Sequence, residues 1–244
     1  MSGGRILAID TATRTLGVAL GGQAGWWLSA AQVGGGGRGE AIVEVIRRGL
    51  AEVGWRGADL DGVAVAVGPG SYTGLRIGLA VAKALAWAWE RPLVGVDTLM
   101  AMALGAGWSA PLVVAAIDAR RGEVFGGVYA GAAEPPVAVL EPARAMPVEE
   151  LAEAARRHAR ARGVTVAAAV GDGCHRYAET LARLSELEYI WVPEVCQLAR
   201  PVAVGRLGWW SLSEGRRDDP LTLGARYLKA TEAERRWQQP PKSP

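Results

Sequence analysis

Phenylalanine occurs once in this chain, histidine and cysteine twice each, and neither sign of charge prevails, the formal net charge being +2. Each scarcity removes a class of function. His158 and His175 are not at ligand spacing, and Cys174 and Cys196 make neither a zinc pattern nor a disulfide framework, so no metal site is expected. HExxH and GxSxG motifs are both missing, which leaves zinc-dependent and serine-type hydrolysis without their residues. A net charge of +2 with Lys and Arg scattered rather than clustered is too small to imply an extended phosphate-binding surface, and strong nucleic-acid binding by the chain alone is not expected. The longest apolar stretch carries Lys83 and the amino terminus runs directly into a strand; neither a membrane span nor a signal peptide is expected. A reduced, cytoplasmic protein is the simplest reading.

Hydrophobic residues make up 50% of the chain and charged ones 21%, the balance of an ordered globular protein with one large or two small domains. Tryptophan, unlike phenylalanine, is abundant at ten residues. Pairs such as Trp26 with Trp27 and Trp87 with Trp89 suit core and interface packing, a reading preferred over base-stacking platforms.

The run VGPGSYTGLRIG, Val67 to Gly78, joins the apolar strand Val63–Val67 to a helix. Two glycines around Pro69 make a tight turn, and Ser71 or Thr73 can cap the helix amides. From Arg76 to Glu90 the charged residues are Arg76, Lys83 and Glu90, seven apart on a narrow stripe. A soluble helix this apolar must be covered on nearly all sides, by its own domain or by another protein. Gly74, Gly78 and Ala82, four apart, would let a second helix come close. An amphipathic helix is expected over Glu40–Val53, after a glycine-rich loop at Gly34–Gly39.

Two segments recur in the same order. RILAID, a polar turn and a returning strand at Leu16–Leu20 are echoed by LVVAAID at Leu112–Asp118, ARRGE and Val124–Tyr129; VAVAVGPG at Val63 is echoed by VAAAVGDG at Val166. The repeat predicts two related α/β domains joined near Leu99–Pro111. Helices are expected over Pro147–Arg162, Arg176–Leu187 and Pro201–Ser213, with a frayed tail from Thr231.

The candidate chemistry is sparse. Asp10 ends a strand and precedes Thr11 and Thr13, where a carboxylate can hold a metal-bound water or approach a phosphate; a structural turn carboxylate is the competing reading, since the turn lacks glycine. The junction at Gly68, Gly70 and Ser71 is not a P-loop, because GK[ST] is missing, yet its amides can face an anion or simply serve helix packing. Asp118 with Arg120, Arg121 and Glu123 is either a charged cleft element or a solvated hairpin tip.

Taken together, ILAIDTATRTLGVAL, VGPGSYTGLRIG and AAIDARRGEVF resemble the TsaB (YeaZ) family, accessory proteins of tRNA threonylcarbamoyladenosine synthesis, and GVDTL at Gly95, GDG at Gly171 and RYLK at Arg226 extend the likeness to about Lys229. The resemblance implies an actin-like ATPase (ASKHA) superfold of two RNase H-like domains: residues 1–104 and 105–199, then 200–230 packing back on them and a flexible tail at 231–244. It implies a non-catalytic subunit that pairs with the related transferase TsaD, joined by the ATPase TsaE, so that threonylcarbamoyl reaches N6 of the adenosine beside the anticodon in tRNAs reading codons that begin with A. Transfer RNA is then met only through the complex. Pairing would use Ile42, Val43, Ile46 and Leu50 of the first helix with Gly74, Leu75, Ile77, Gly78, Val81 and Ala82 of the second; alone, the chain would form a homodimer through the same helices. No cofactor follows firmly; the alternative left open is ATP or ADP with magnesium at the cleft, near Asp10, Thr11, Gly68, Gly70 and Ser71, or at the joint with the partner. Many members carry a histidine and a serine where this chain has Arg38, Gly39 and Glu40, so no role of that histidine carries over. The alternatives are an actin-like phosphotransferase working through Asp10 and, remotely, a peptidase, an older label for relatives of this family.

Overall fold

The computed structural model describes residues 4–22, 25–32 and 38–229. The glycine-rich loop expected at Gly34–Gly39 falls largely outside them, as does the tail expected from Thr231; Arg38 and Gly39 already belong to the first helix.

Two five-stranded sheets carry the fold. The first is built from β1 (Ile6–Asp10), β2 (Thr15–Gly22), β3 (Gly25–Gln32), β4 (Gly62–Gly68) and β5 (Leu93–Asp97) in the order β3-β2-β1-β4-β5. Its helices are α1 (Arg38–Val53), α2 (Tyr72–Ala88) and α3 (Thr98–Ala106). In the second half β6 (Leu112–Arg120), β7 (Glu123–Ala130), β8 (Val139–Pro147), β9 (Val166–Val170) and β10 (Glu188–Trp191) lie in the order β10-β9-β6-β7-β8. Its helices are α4 (Val148–Arg162), the short α5 (Asp172–Arg176), α6 (Ala178–Ser185) and α7 (Arg200–Ser213). Relabelled from its own first strand, the second sheet has the same order as the first. Each opens with an antiparallel three-strand meander and continues with two parallel strands. This is the RNase H-like topology twice over, the two-domain architecture of the actin-like fold, and the internal repeat is its trace in the sequence. The helix expected over Arg176–Leu187 is broken at Tyr177, whose φ of −114° ends α5 before α6 begins.

Alternation along the central strands sorts the layers. Leu7, Ile9, Val63 and Val65 face α1 and α2, whereas Ile6, Ala8, Ala64 and Ala66 face α3 and α7. Val113, Ala115, Ala168 and Val170 of the second sheet join that latter core, so α3 and α7 lie between the sheets. On the far side Val114, Ala116, Ala167 and Ala169 pack with α4 and α6. All five residues of β1 are buried, as a strand covered on both faces requires.

The close seat of α7 is made by small residues. A Cβ at Gly208 would fall 2.4 Å from the Cβ of Ala64 on β4, while one at Gly105 in α3 would meet nothing within 4 Å. Alanine in a helix gains about 1 kcal/mol over glycine, and overpacking a rigid contact costs about 1–3 kcal/mol. Gly105→Ala is therefore expected to stabilise the chain and Gly208→Ala to destabilise it, opposite shifts of the urea midpoint; a gain for both would mean that α7 can lift from the sheet.

Candidate functional site

The ends of β1 and β4 meet at the carboxyl edge of the first sheet, where open α/β sheets bind ligands. Asp10 closes β1 fully buried, and its Oδ1 accepts the amide of Ala12 at 2.9 Å. Its other oxygen is taken by the guanidinium of Arg200, which opens α7 and is itself buried. Arg200 also donates from Nη2 to the hydroxyl of Thr13 at 2.7 Å, tying together both ends of the hairpin turn. Thr11 is buried and donates to the carbonyl of Gly74 at 2.7 Å. Gly70 lies so close to the hairpin that an added Cβ would stand 2.2 Å from the Ala12 carbonyl, and the Ser71 amide donates to that same oxygen at 2.6 Å. Ser71 caps α2, its hydroxyl accepting the Gly74 amide at 3.3 Å. Gly68 has φ of 115° and sits under the carbonyl of Arg226.

The five residues expected to receive a nucleotide are thus brought together, but their contacts are already made with Ala12, Gly74, Arg200 and Arg226 of the chain itself. Magnesium needs free oxygen ligands, and the carboxylate at this junction is already neutralised inside the chain. The residues present do not fit a magnesium nucleotide at Asp10, which becomes the structural carboxylate of the competing reading. Among the described residues no group of three or more His, Cys, Asp or Glu could hold a metal ion.

The second half repeats the junction with different partners. Gly171 follows β9 with φ of 103°, as Gly68 follows β4, and Asp118 accepts the Arg120 amide at 2.9 Å, as Asp10 accepts that of Ala12. Asp118 also takes the Tyr177 hydroxyl at 3.4 Å and lies 3.5 Å from Arg176. Asp118 itself is anchored, while Arg120, Arg121 and Gly122 at the tip of the same hairpin are exposed. Cys174 is buried under the same turn, and burial pushes its thiol up to about 12, removing it as a nucleophile. His175 bonds the carbonyl of Val192 at 2.8 Å.

The terminal segment clasps both halves. The Arg226 amide donates to Val67 at 2.7 Å and its guanidinium meets Asp97 at 3.1 Å; Tyr227 stacks on Tyr72 with centroids 4.9 Å apart, and Lys229 pairs with Glu123 on β7. Burial raises the Asp97 carboxyl above the usual carboxylate range.

The helical face expected to meet a partner needs redrawing. Ile42, Ile46, Gly74, Leu75, Gly78 and Ala82 are buried within the chain. A Cβ at Gly78 would lie 2.2 Å from the hydroxyl of Thr11, so the row Gly74, Gly78, Ala82 admits the chain's own hairpin, not another helix. A large residue at Gly78 would therefore disturb the monomer. Val43 remains 48% exposed, while Leu50, Ile77 and Val81 are half-buried. Beside them Ala80, Ala84, Ala88 and Trp87, the last 71% exposed, form an outer apolar stripe on α2 that the sequence reading missed. The signal was present: the exposed row is also spaced by four, half a turn from the glycines. Charge borders it on α1, where Arg47 and Arg48 both bond Glu44 and hold its carboxyl down to about 2.

A family model described as "TsaD: tRNA N6-adenosine threonylcarbamoyltransferase" matches residues 39–172. The tRNA threonylcarbamoyladenosine biosynthesis protein TsaB of Escherichia coli is 42% identical over 128 residues, 51% of this chain and 54% of that protein. That of Bacillus subtilis is 45% identical over 71 residues, 29% of this chain and 31% of its own length. The aligned stretch thus spans about half of the first relative and a third of the second. A crystal structure from Pseudomonas aeruginosa, described as similar to peptidase YeaZ, superimposes with a TM-score of 0.72 at 25% identity, covering 93% of this chain and all of that one.

Removing one partner of a buried ion pair strands the other, at a cost of about 3–5 kcal/mol. Arg200→Met is expected to lose stability on that scale, and Asp10→Asn with Arg200→Met to regain much of it, in urea unfolding. A loss near zero for the single variant would show that Asp10 is solvated and open to a ligand.

Proposed function

This chain belongs to the family that the TsaD model describes and, within it, to the TsaB (YeaZ) proteins of tRNA threonylcarbamoyladenosine biosynthesis; from that membership we propose that it serves as an accessory subunit, lending a docking face to a catalytic TsaD-type partner and leaving the transfer of threonylcarbamoyl to that partner. One observation carries the reading: α2 presents Ala80, Ala84, Trp87 and Ala88 to solvent, and α1, which packs against α2, leaves Val43 exposed. Leaving such a face in water costs about 25 cal/mol for each Å².

The partner's kind follows from the matched stretch. Residues 39–172 contain α1, β4 and α2, so a TsaD-type protein carries the counterpart of the same helices, and like surfaces can meet about a pseudo-twofold axis. A homodimer of this chain would use the identical face and compete with that partner. Assembly with an ATPase of the TsaE kind, and contact with tRNA, would come through the pair; a nucleotide, where the assembly uses one, belongs to the partner or the joint. The junction around Asp10 speaks against the phosphotransferase alternative, because a carboxylate held by Arg200 cannot serve a phosphoryl group as it stands.

Ala84→Arg tests the proposal. Placing a charge at an exposed helical position changes stability by no more than about 0.5 kcal/mol, yet a buried interfacial charge without a partner costs several times that. The variant is expected to melt like the parent and to lose its purified TsaD-type partner and its own dimer in size-exclusion light scattering. Unchanged assembly would overturn the docking face.

A further inference from the structure

Three of the ten tryptophans stand together on the side of the first sheet opposite α1 and α2. A concavity of about 650 Å³ opens there, walled by Trp26 of β3, by Val202, Arg206, Trp209 and Trp210 of α7, and by Glu134 of the segment after β7. Pockets that enclose small organic ligands span roughly 300–1,000 Å³. The walls are built rather than incidental. A Cβ at Gly205 would fall 2.4 Å from the Trp26 ring and one at Gly21 equally close, so glycines on α7 and β2 make room for that indole; Gly4 does the same for Trp209.

Val202, Arg206, Trp209 and Trp210 are the partly exposed positions of α7, the face on which a soluble helix ordinarily carries charge. The cation among them is held at the mouth of the pocket. Arg206 donates to the carbonyl of Ala133 at 2.8 Å and pairs with Glu134, whose side chain is 78% exposed. A pair with so exposed a carboxylate is well screened by water and contributes little, so an incoming oxyanion can displace the carboxylate at small cost and take the planar fork of the guanidinium.

We propose that this concavity is a binding site for a planar aromatic ring bearing one oxyanion, carboxylate or phosphate, the ring lying against the indoles and the anion replacing Glu134 on Arg206. The site is independent of the docking face and of the partner.

Calorimetric titration of the full chain with 1-naphthoate and with 1-naphthyl phosphate tests it, the neutral 1-naphthalenemethanol serving as control. One-to-one saturable binding of at least one anion is expected, the alcohol being about tenfold weaker or worse, as the loss of a charge-assisted contact implies; the tighter anion identifies the oxyanion. Glu134→Gln, a change at an exposed side chain that leaves the fold intact, is expected to tighten binding, and Arg206→Met to weaken it about tenfold. No saturable heat with either anion up to about 1 mM, equal affinity for the alcohol, or binding unaltered in both variants would overturn the proposal.

Discussion

A buried guanidinium decides what the space between the two halves of this protein can be. Arg200 reaches from the first residue of α7 to Asp10 at the end of β1 and holds Thr13 across the turn, so the carboxylate at the chemical end of the first sheet is neutralised from within. Around that pair the other contacts fall into place: Thr11 enters the notch left by Gly74 and Gly78, Gly70 and Ser71 close on Ala12, and α2 is set on the sheet. The junction that could cradle phosphate is converted into a bearing for a helix.

The duplication makes the conversion easier to see. Both halves keep the same strand order, a positive-φ glycine after the fourth strand and a carboxylate that turns back onto the amide two residues on. They differ in what answers the carboxylate: a buried arginine for Asp10, and Tyr177 with a more exposed Arg176 for Asp118. The junction is occupied by the chain's own side chains and bordered by the Arg226–Lys229 segment, while the outward side of α1 and α2 keeps Val43 and Trp87 exposed.

Much of this was legible in the residues. The repeated AID and VGPG/VGDG segments announce two similar sheets because the physics of a buried central strand followed by a tight turn demands the same apolar and glycine positions twice. Four strands escaped notice: β5 and β10, which are only five and four residues long, β3, with its paired tryptophans, and β8, an edge strand carrying Pro142, Glu141 and Arg144. On α1 and α2 the sequence reading picked out the row that the fold buries, because spacing by four marks both sides of a helix and only burial tells them apart. The partner of Asp10 lies 190 residues away, a distance no local pattern spans; an arginine just ahead of the helix expected over Pro201–Ser213 was its one trace.

The central claim, that α1 and α2 offer the working surface while the cleft is internal structure, is tested most directly by hydrogen–deuterium exchange of the chain with and without a purified TsaD-type protein, the proposed partner. The account predicts added protection over Arg38–Val53 and Tyr72–Ala88 with little change at Asp10–Arg14 and Asp118–Gly122. Protection concentrated on those hairpin tips, with the two helices unaffected, would contradict it.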